Sequence, residues 1–243
     1  MRILEIIREL HRTGHGAYGS PRMTRELRAR GHRCSENRIA RIMRENGVRA
    51  KTAVLFRKKR HRGEYYRAEG NLLRGRGAPT APNQVWVADV TYIKTHEGWL
   101  YLVAIMDLHS RRIVGWSIAP MRDTPLAISA FKRAWRSRGC PKGLIVHTDQ
   151  GIEFLNTEFK DLLKRCGVTQ STSRRGRCHD NAHMESFFHT LKNEILKLER
   201  LVSHQQVITL VGRYIETFYN LTRRHSAIGF LSPMRYESRN KLR

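Results

Sequence analysis

Apolar residues keep two rhythms along this chain, and the switches between them outline its elements. The first ten residues, Met1-Arg-Ile-Leu-Glu-Ile-Ile-Arg-Glu-Leu10, carry apolar side chains at helical spacing and predict an amphipathic helix. Ser20-Pro21 sets a hydroxyl before a proline suited to a first helical turn, so Ser20 is expected to cap a helix that reaches about Arg30 and stops at Gly31. Ser35 is expected to cap another, 36–46, with Ile39, Ile42 and Met43 on one side and Gly47 at the stop. Two short helices joined by a Gly-containing turn fit a helix-turn-helix.

The stretch Arg74-Gly-Arg-Gly-Ala-Pro-Thr-Ala-Pro-Asn83 supports neither helix nor strand and reads as part of a linker. Strand rhythm follows. Val85–Ile93 is apolar on both faces, as a central strand is. Trp99–Met106 comes after a turn at His96-Glu-Gly98, and Arg112–Ala119 after Asp107-Leu-His-Ser110. Thr124-Pro125 is expected to cap a helix that buries Ile128, Phe131 and Trp135 and ends at Gly139. A strand at 144–148, a helix near 157–166 and a short strand at 168–172 come next. This order predicts a mixed α/β sheet flanked by helices, with parallel pairing beyond the first three strands.

A further helix carries Met184, Phe187, Phe188, Leu191, Ile195 and Leu198 as its buried stripe. At roughly 100° per residue, Asn181, Glu185 and Lys192 fall within about 40° of one another on one flank of that stripe. Val207, Ile208, Val211, Tyr214, Ile215 and Phe218 mark a C-terminal amphipathic helix, expected to cap the core, with a multimer contact as the alternative.

Charge adds a partner to this outline. Lys and Arg number 46 against 21 Asp and Glu, a net of +25 that points to a polyanion. Residues 1–84 hold 21 of the basic and 7 of the acidic residues, a net of +14. No run of 18 apolar residues and no signal-peptide pattern occurs, so nucleic acid in the cytoplasm is expected rather than a membrane. Arg38, Arg41 and Arg44 recur away from the apolar side of their helix and suit a major groove or phosphates; a solvated basic face is the plain alternative. The four cysteines form no C-x-x-C pair, and His11, His15 and Cys34 lack a fourth zinc ligand nearby, so neither zinc nor a disulfide is expected.

Against this basic background three acids stand out. Asp89 lies inside Val85-Trp-Val-Ala-Asp-Val-Thr-Tyr-Ile93, Asp149 ends Leu144-Ile-Val-His-Thr-Asp149, and Glu185 follows after 35 intervening residues. A carboxylate within a buried strand is costly unless it is paired or binds a cation. Glu185 alone would pass for a solvated helix residue; Asp107 and Asp180 are explained by a turn and a helix N-cap. Together, two strand carboxylates and one helix carboxylate suggest divalent metal held for chemistry on a polyanion.

The residues around these acids carry a resemblance. Trp86-Val-Ala-Asp-Val-Thr-Tyr-Ile93, Tyr101-Leu-Val-Ala-Ile-Met-Asp-Leu-His-Ser-Arg111, Ile113-Val-Gly-Trp116 and His147-Thr-Asp-Gln-Gly151 belong to it. So do Ser173-Arg-Arg-Gly-Arg-Cys-His-Asp-Asn-Ala182, Glu185-Ser-Phe-Phe188, Leu191-Lys192, Tyr219-Asn220, Arg224-His225 and Leu231-Ser-Pro233, with Tyr18-Gly19 and Arg41-Ile-Met-Arg44 near the start. The chain resembles the integrase-type, second-reading-frame subunit of transposases of the insertion-sequence-three family, related to retroviral integrase catalytic cores.

The resemblance implies an RNase H-like core and metal-dependent DNA end cleavage and strand transfer. Asp89, Asp149 and Glu185 would be both catalytic residues and ligands of two Mg²⁺ ions, with Mn²⁺ able to substitute. Lys192, Arg174, Arg175 and Arg177 are candidate phosphate contacts. The expected organisation is a helix-turn-helix DNA-binding domain at 1–50, a basic linker at 51–83, the catalytic core at 84–200 and a C-terminal helix and tail at 201–243. Double-stranded DNA, a homo-oligomer on that DNA and an upstream-frame partner or fusion are the implied partners. Two rival readings are a non-catalytic DNA-binding regulator and an RNase H-like structure-selective nuclease. One departure stands out: Glu153-Phe154 replaces the Gln-Tyr pair the family leads one to expect, and Glu153 is expected to face solvent or pair with an arginine rather than perturb the site.

Overall fold

Three helices begin the chain: α1 (Ile3–Thr13), α2 (Ser20–Ala29) and α3 (Glu36–Glu45). The computed structural model describes residues 3–50, 70–173, 181–196 and 201–240, so Arg174, Arg175, Arg177, Asp180, Leu198 and most of the basic linker lie outside it. Ser35 caps α3 as expected, its Oγ accepting from the N–H of Arg38 at 3.3 Å. Ser20 does not cap α2; it is the first helical residue, behind Gly19, and Pro21 fills the first turn where an N–H has no helical acceptor. Ile6, Ile7, Leu10, Met23, Leu27, Ile39 and Met43 pack together as the buried side of the trio.

A five-stranded sheet follows, in the order β3-β2-β1-β4-β5. Its strands are β1 (Val85–Thr95), β2 (Gly98–Asp107), β3 (Ile113–Ala119), β4 (Ile145–Thr148) and β5 (Thr169–Thr172). β1 sits centrally, antiparallel to β2 and parallel to β4; β2 with β3 is antiparallel and β4 with β5 parallel. This is the expected mixed pairing. The turn after β2 is set by Asp107, whose carboxylate accepts from the N–H groups of Asn83 (2.7 Å), His109 (2.9 Å) and Ser110 (3.3 Å).

Because side chains alternate along a strand, β1 serves both faces of the sheet. Trp86 and Ala88 pack with Val103 and Ile105 beneath α4 (Thr124–Ser137) and α6 (Thr157–Arg165), against Phe131 and Phe159. Val87 and Ile93 face the other way, under α7 (Ala182–Leu191) and α8 (His204–Arg213), with Phe187, Leu191, Val207 and Val211. This second cluster runs without a break into α1–α3, and the C-terminal helix caps the core within it. Gly115 lets α4 lie close on β3: a Cβ there would stand 2.6 Å from the Ala130 carbonyl oxygen and from the Ala134 Cβ.

Other details depart from the sequence expectations. Asp123, not Thr124, caps α4, its carboxylate accepting from the Leu126 N–H at 3.0 Å. A one-turn helix, α5 (Ile152–Leu155), follows β4. The helix expected to run on through 198 stays α-helical only to Leu191, then widens into a π-helical turn, Lys192–Leu196. Such a turn rotates the following side chains, and Asn193 and Glu194 point inward. The Glu194 carboxylate accepts from Arg223 (Nη2, 2.8 Å) and from the Tyr214 hydroxyl (2.6 Å), a buried pair that rewards the rotation. α9 (Pro233–Asn240) closes the described chain. No helix among the described residues is long and apolar enough to cross a membrane.

Candidate active site

Val87 and His147 are the last paired residues of the β1–β4 ladder, and Asp89 and Asp149 each lie two residues further along. Equal offset on adjacent parallel strands puts both carboxylates on one face of the sheet, the face that Val87 shares with α7. Asn181 fixes the start of α7 there: its Nδ2 donates to the carbonyl of Ala88, 3.0 Å away and one residue before Asp89. Glu185 follows Asn181 by about one helical turn and is exposed on that flank.

The electrostatics tie the three together. Burial pushes the Asp89 carboxyl up to about 7; Asp149, Glu185 and Glu153 add in the same direction, against the Val90 N–H that donates to it at 2.8 Å. Burial also raises Asp149, with Glu153 adding, while the Gly151 N–H (3.0 Å) and Arg122 oppose. Neither aspartate makes a salt bridge with a described residue; the nearby pairs belong to Glu153 and Asp107. Among the described residues, no three His, Cys, Asp or Glu side chains stand together as a closed metal-ligand set. Asp89, Asp149 and Glu185 therefore share a face and a field rather than a finished cage. The donor chemistry nonetheless fits a hard dication: the groups are carboxylates alone, the two aspartates partly desolvated, and they repel one another.

A fourth carboxylate belongs to the site. Glu153, on α5, is buried and takes a two-pronged contact from Arg122, Nη2 to Oε1 at 2.8 Å and Nε to Oε2 at 3.1 Å. The arginine pairing was among the expectations; solvent exposure was not borne out, because the carboxylate is covered, and its charge does reach Asp89 and Asp149. Any side chain at Gly151 would strike this carboxylate. Arg122 is the residue sequence reasoning missed entirely. Its only signal is its place just before the α4 cap. His147, inside the same motif, spends both ring nitrogens on serines, Nδ1 at 2.9 Å from Ser171 Oγ and Nε2 at 3.0 Å from Ser173 Oγ, and so holds β4 to the edge of the sheet.

Of the basic residues singled out, Arg38, Arg41 and Arg44 are exposed on α3, away from buried Ile39 and Met43; Arg41 Nε stands 4.0 Å from Glu45. Lys192 lies at the start of the π turn with its Nζ 4.6 Å from the centre of the Tyr92 ring. Tyr92 is 60% exposed and meets Trp99 edge-on at 5.4 Å.

Known proteins share this plan. An HTH-like domain family matches residues 1–60, and two integrase core domain families match residues 79–178 and 166–233. The transposase InsF for insertion sequence IS3A of Escherichia coli (strain K12) is 41% identical over 223 residues, 92% of this chain and 77% of that protein. An uncharacterized 31 kDa protein of insertion element IS600 from Shigella sonnei is 39% identical over 233 residues, 96% of this chain and 86% of that one. The HTLV-2 integrase catalytic core domain, solved in complex with magnesium in a trimeric form, matches with a TM-score of 0.51 at 21% identity, over 65% of this chain and 98% of that chain. A chain of the simian T-cell lymphotropic virus intasome, in complex with PP2A regulatory subunit B56 gamma, matches with a TM-score of 0.55 at 15% identity, over 95% of this chain and 74% of that chain. At these identities the two structures speak for the fold.

Proposed function

Because the chain belongs to the IS3 family of insertion-sequence transposases, we propose that Asp89, Asp149 and Glu185 are the carboxylates with which it cuts and joins DNA. Its function is DNA transposition, and its class is that of the integrase-type polynucleotidyl transferases. The observation that carries the residue assignment is the equal offset of Asp89 and Asp149, each two residues beyond the Val87–His147 pair, with α7 pinned to Ala88 beside them. Those two aspartates and Glu185 would hold two Mg²⁺ ions, or Mn²⁺ in their place. Bound metal supplies Lewis-acid activation of the attacking oxygen and charge neutralisation at the leaving 3′ oxygen.

The chain's own residues do the positioning. Asn181 sets the angle at which α7 presents Glu185, and Arg122 keeps the Glu153 carboxylate turned to itself. Cleavage of an element end breaks one P–O bond with water as nucleophile; joining breaks another with the freed 3′-OH as nucleophile. Arg38, Arg41 and Arg44 on α3, together with Lys192, Arg174, Arg175 and Arg177, are the DNA contacts in this reading. Residues 1–50 then seek the DNA, 51–83 link, 84–200 catalyse and 201–243 brace the core. Two ends must meet, so the working form is an oligomer on DNA, with an upstream-frame product as a further partner.

The test is incubation of the protein with Mg²⁺ and labelled DNA bearing the inverted repeats that flank its gene. Wild type should give joined products, and Asp89→Asn or Asp149→Asn should bind DNA yet join it about a thousandfold less. Full strand transfer by Asp89→Asn would sink the assignment. Nicks without joining by wild type would favour a nuclease.

A further inference from the structure

Away from the carboxylates, basic side chains converge on a cavity of about 230 Å³ between α2, the β2–β3 turn, α7 and the segment that follows α8. Arg22, Arg111, Arg223 and His225 line it, with the hydroxyls of Ser186 and Thr190 from α7. Those two hydroxyl positions lie roughly 100–140° around the helix from Glu185, so the cavity is on a different side of α7 from the catalytic face. No acidic side chain among the described residues lines it.

The charges there are unequally matched. Arg223 is neutralised by Glu194 at 2.8 Å. Arg22 and Arg111 form no salt bridge or side-chain hydrogen bond with any described residue, although both are partly buried. The Arg111 Nη1 and the His225 Nε2 are buried with no hydrogen-bond partner among the described residues. Arg111 also holds a left-handed backbone, φ 64°, a conformation that is costly for a residue with a side chain and that concentrates at binding sites. The field is strong enough that His225 falls to about 2, through burial first and then Arg223, Arg22 and Arg111. A guanidinium that is partly buried without a counter-charge among the described residues carries a desolvation cost. An oxyanion cancels that cost, and the planar guanidinium fork matches the oxygens of a phosphate.

We propose that this cavity is a phosphate-binding site, gripped by Arg22 and Arg111 and completed by the hydroxyls of Ser186 and Thr190. The volume accommodates one such group with a few waters. Arg22 comes from α2 and the other ligands from the core, so an occupant bridges the DNA-seeking helices to the catalytic unit. A backbone phosphate of bound DNA is one source and free phosphate the other. The DNA source rests on the transposase reading; the site itself does not.

The full chain, purified without phosphate, separates these cases. Inorganic phosphate at about a hundredfold excess over half-saturation should raise the melting temperature by roughly 5 °C or more, beyond chloride at equal ionic strength. Arg111→Gln and Arg22→Gln should each lose most of that increment, whereas Asp89→Asn, which disables joining, should keep it whole. The second variant stands in should the unusual backbone at residue 111 make the first fold poorly. In duplex DNA binding, the slope of log affinity against log salt should fall by about one in either variant if a DNA phosphate fills the site. An unchanged slope beside a lost phosphate increment assigns the site to free phosphate. The proposal is overturned if phosphate does no more than chloride while the slope stays fixed, or if the increment survives in both variants.

Discussion

Asp89 owes its raised carboxyl first to burial and then to its neighbours. Partial burial alone would favour its neutral form, and three further carboxylates push the same way. What keeps Glu153 from adding more is Arg122, which holds it by two hydrogen bonds. Removing that arginine strands a fully covered carboxylate, a loss on the order of 2 kcal/mol once the half-exposed position of Arg122 is allowed for. Arg122→Ala is therefore expected to lower the denaturant midpoint, and a second change, Glu153→Gln, to restore part of it. Independent, additive effects of the two changes would refute the coupling. At this scale the sequence was half legible. Asp89, Asp149 and Glu185 announce themselves as acids on apolar elements, and Glu153 as an acid four residues after one of them. Arg122 does not, because it meets Glu153 across 31 residues through a fold that only the sheet defines.

Periodicity located nearly every element, and it failed where an element is short or leaves its own period. The strands, their mixed pairing and the helices α3, α4, α6 and α8 follow from two rhythms that persist long enough to count, whereas the order of strands in the sheet comes from the structure. α5 has four residues, too few to show a period. Two cap positions shifted by one residue: Asp123 takes the Leu126 N–H in place of Thr124, whereas Ser20 becomes the first residue of α2 behind Gly19, which caps without a side-chain bond. The π turn after α7 was illegible for a different reason: Glu194 looks like a surface residue until Arg223, 29 positions away, reaches it. Breaking that buried pair with Glu194→Ala should cost roughly 3–5 kcal/mol, measurable as a large drop in unfolding midpoint. Gly115 is the element-scale constraint that the motif contains without explaining. Gly115→Ala presses a methyl into the α4 backbone and should cost about 1–3 kcal/mol in chemical denaturation. An unchanged midpoint would mean that α4 slides freely on β3.

Across the whole molecule, contacts between distant parts of the chain join what charge had divided. The basic first third looked like a separate unit, yet the Tyr18 hydroxyl donates to the Thr222 carbonyl at 3.3 Å, accepts from the Arg224 N–H at 3.2 Å, and Arg224 pairs with Glu26. These partners lie about two hundred positions apart, beyond the reach of any local pattern. α9 is fastened by the same kind of long link. Glu237 accepts from Ser110 Oγ (2.8 Å), Arg112 (2.8 Å) and Arg138 (2.9 and 3.0 Å), binding the end of the described chain to the β2–β3 turn and to α4. Burial by itself would raise this carboxyl, but the bonds from Arg138 and Arg112 outweigh it and leave it below the usual glutamate range. A lowered folded pKa means that the unfolded chain takes up the proton first. The stabilisation is thus complete above the ordinary glutamate value and drains away as the pH falls from there through the lowered one. Nearby Asp107 is raised, by burial first, and opposes this trend, so the informative quantity is the difference between two proteins. Glu237→Gln should be less stable than wild type at neutral pH by on the order of 3 kcal/mol, since it leaves Arg138 covered and short of its counter-charge. That gap should narrow as urea unfolding is repeated from pH 6 towards pH 3, because wild type loses there what the variant never had. A gap constant across that range would show that the glutamate acts by shape and hydrogen bonding alone, with its charge irrelevant to how the chain end is held.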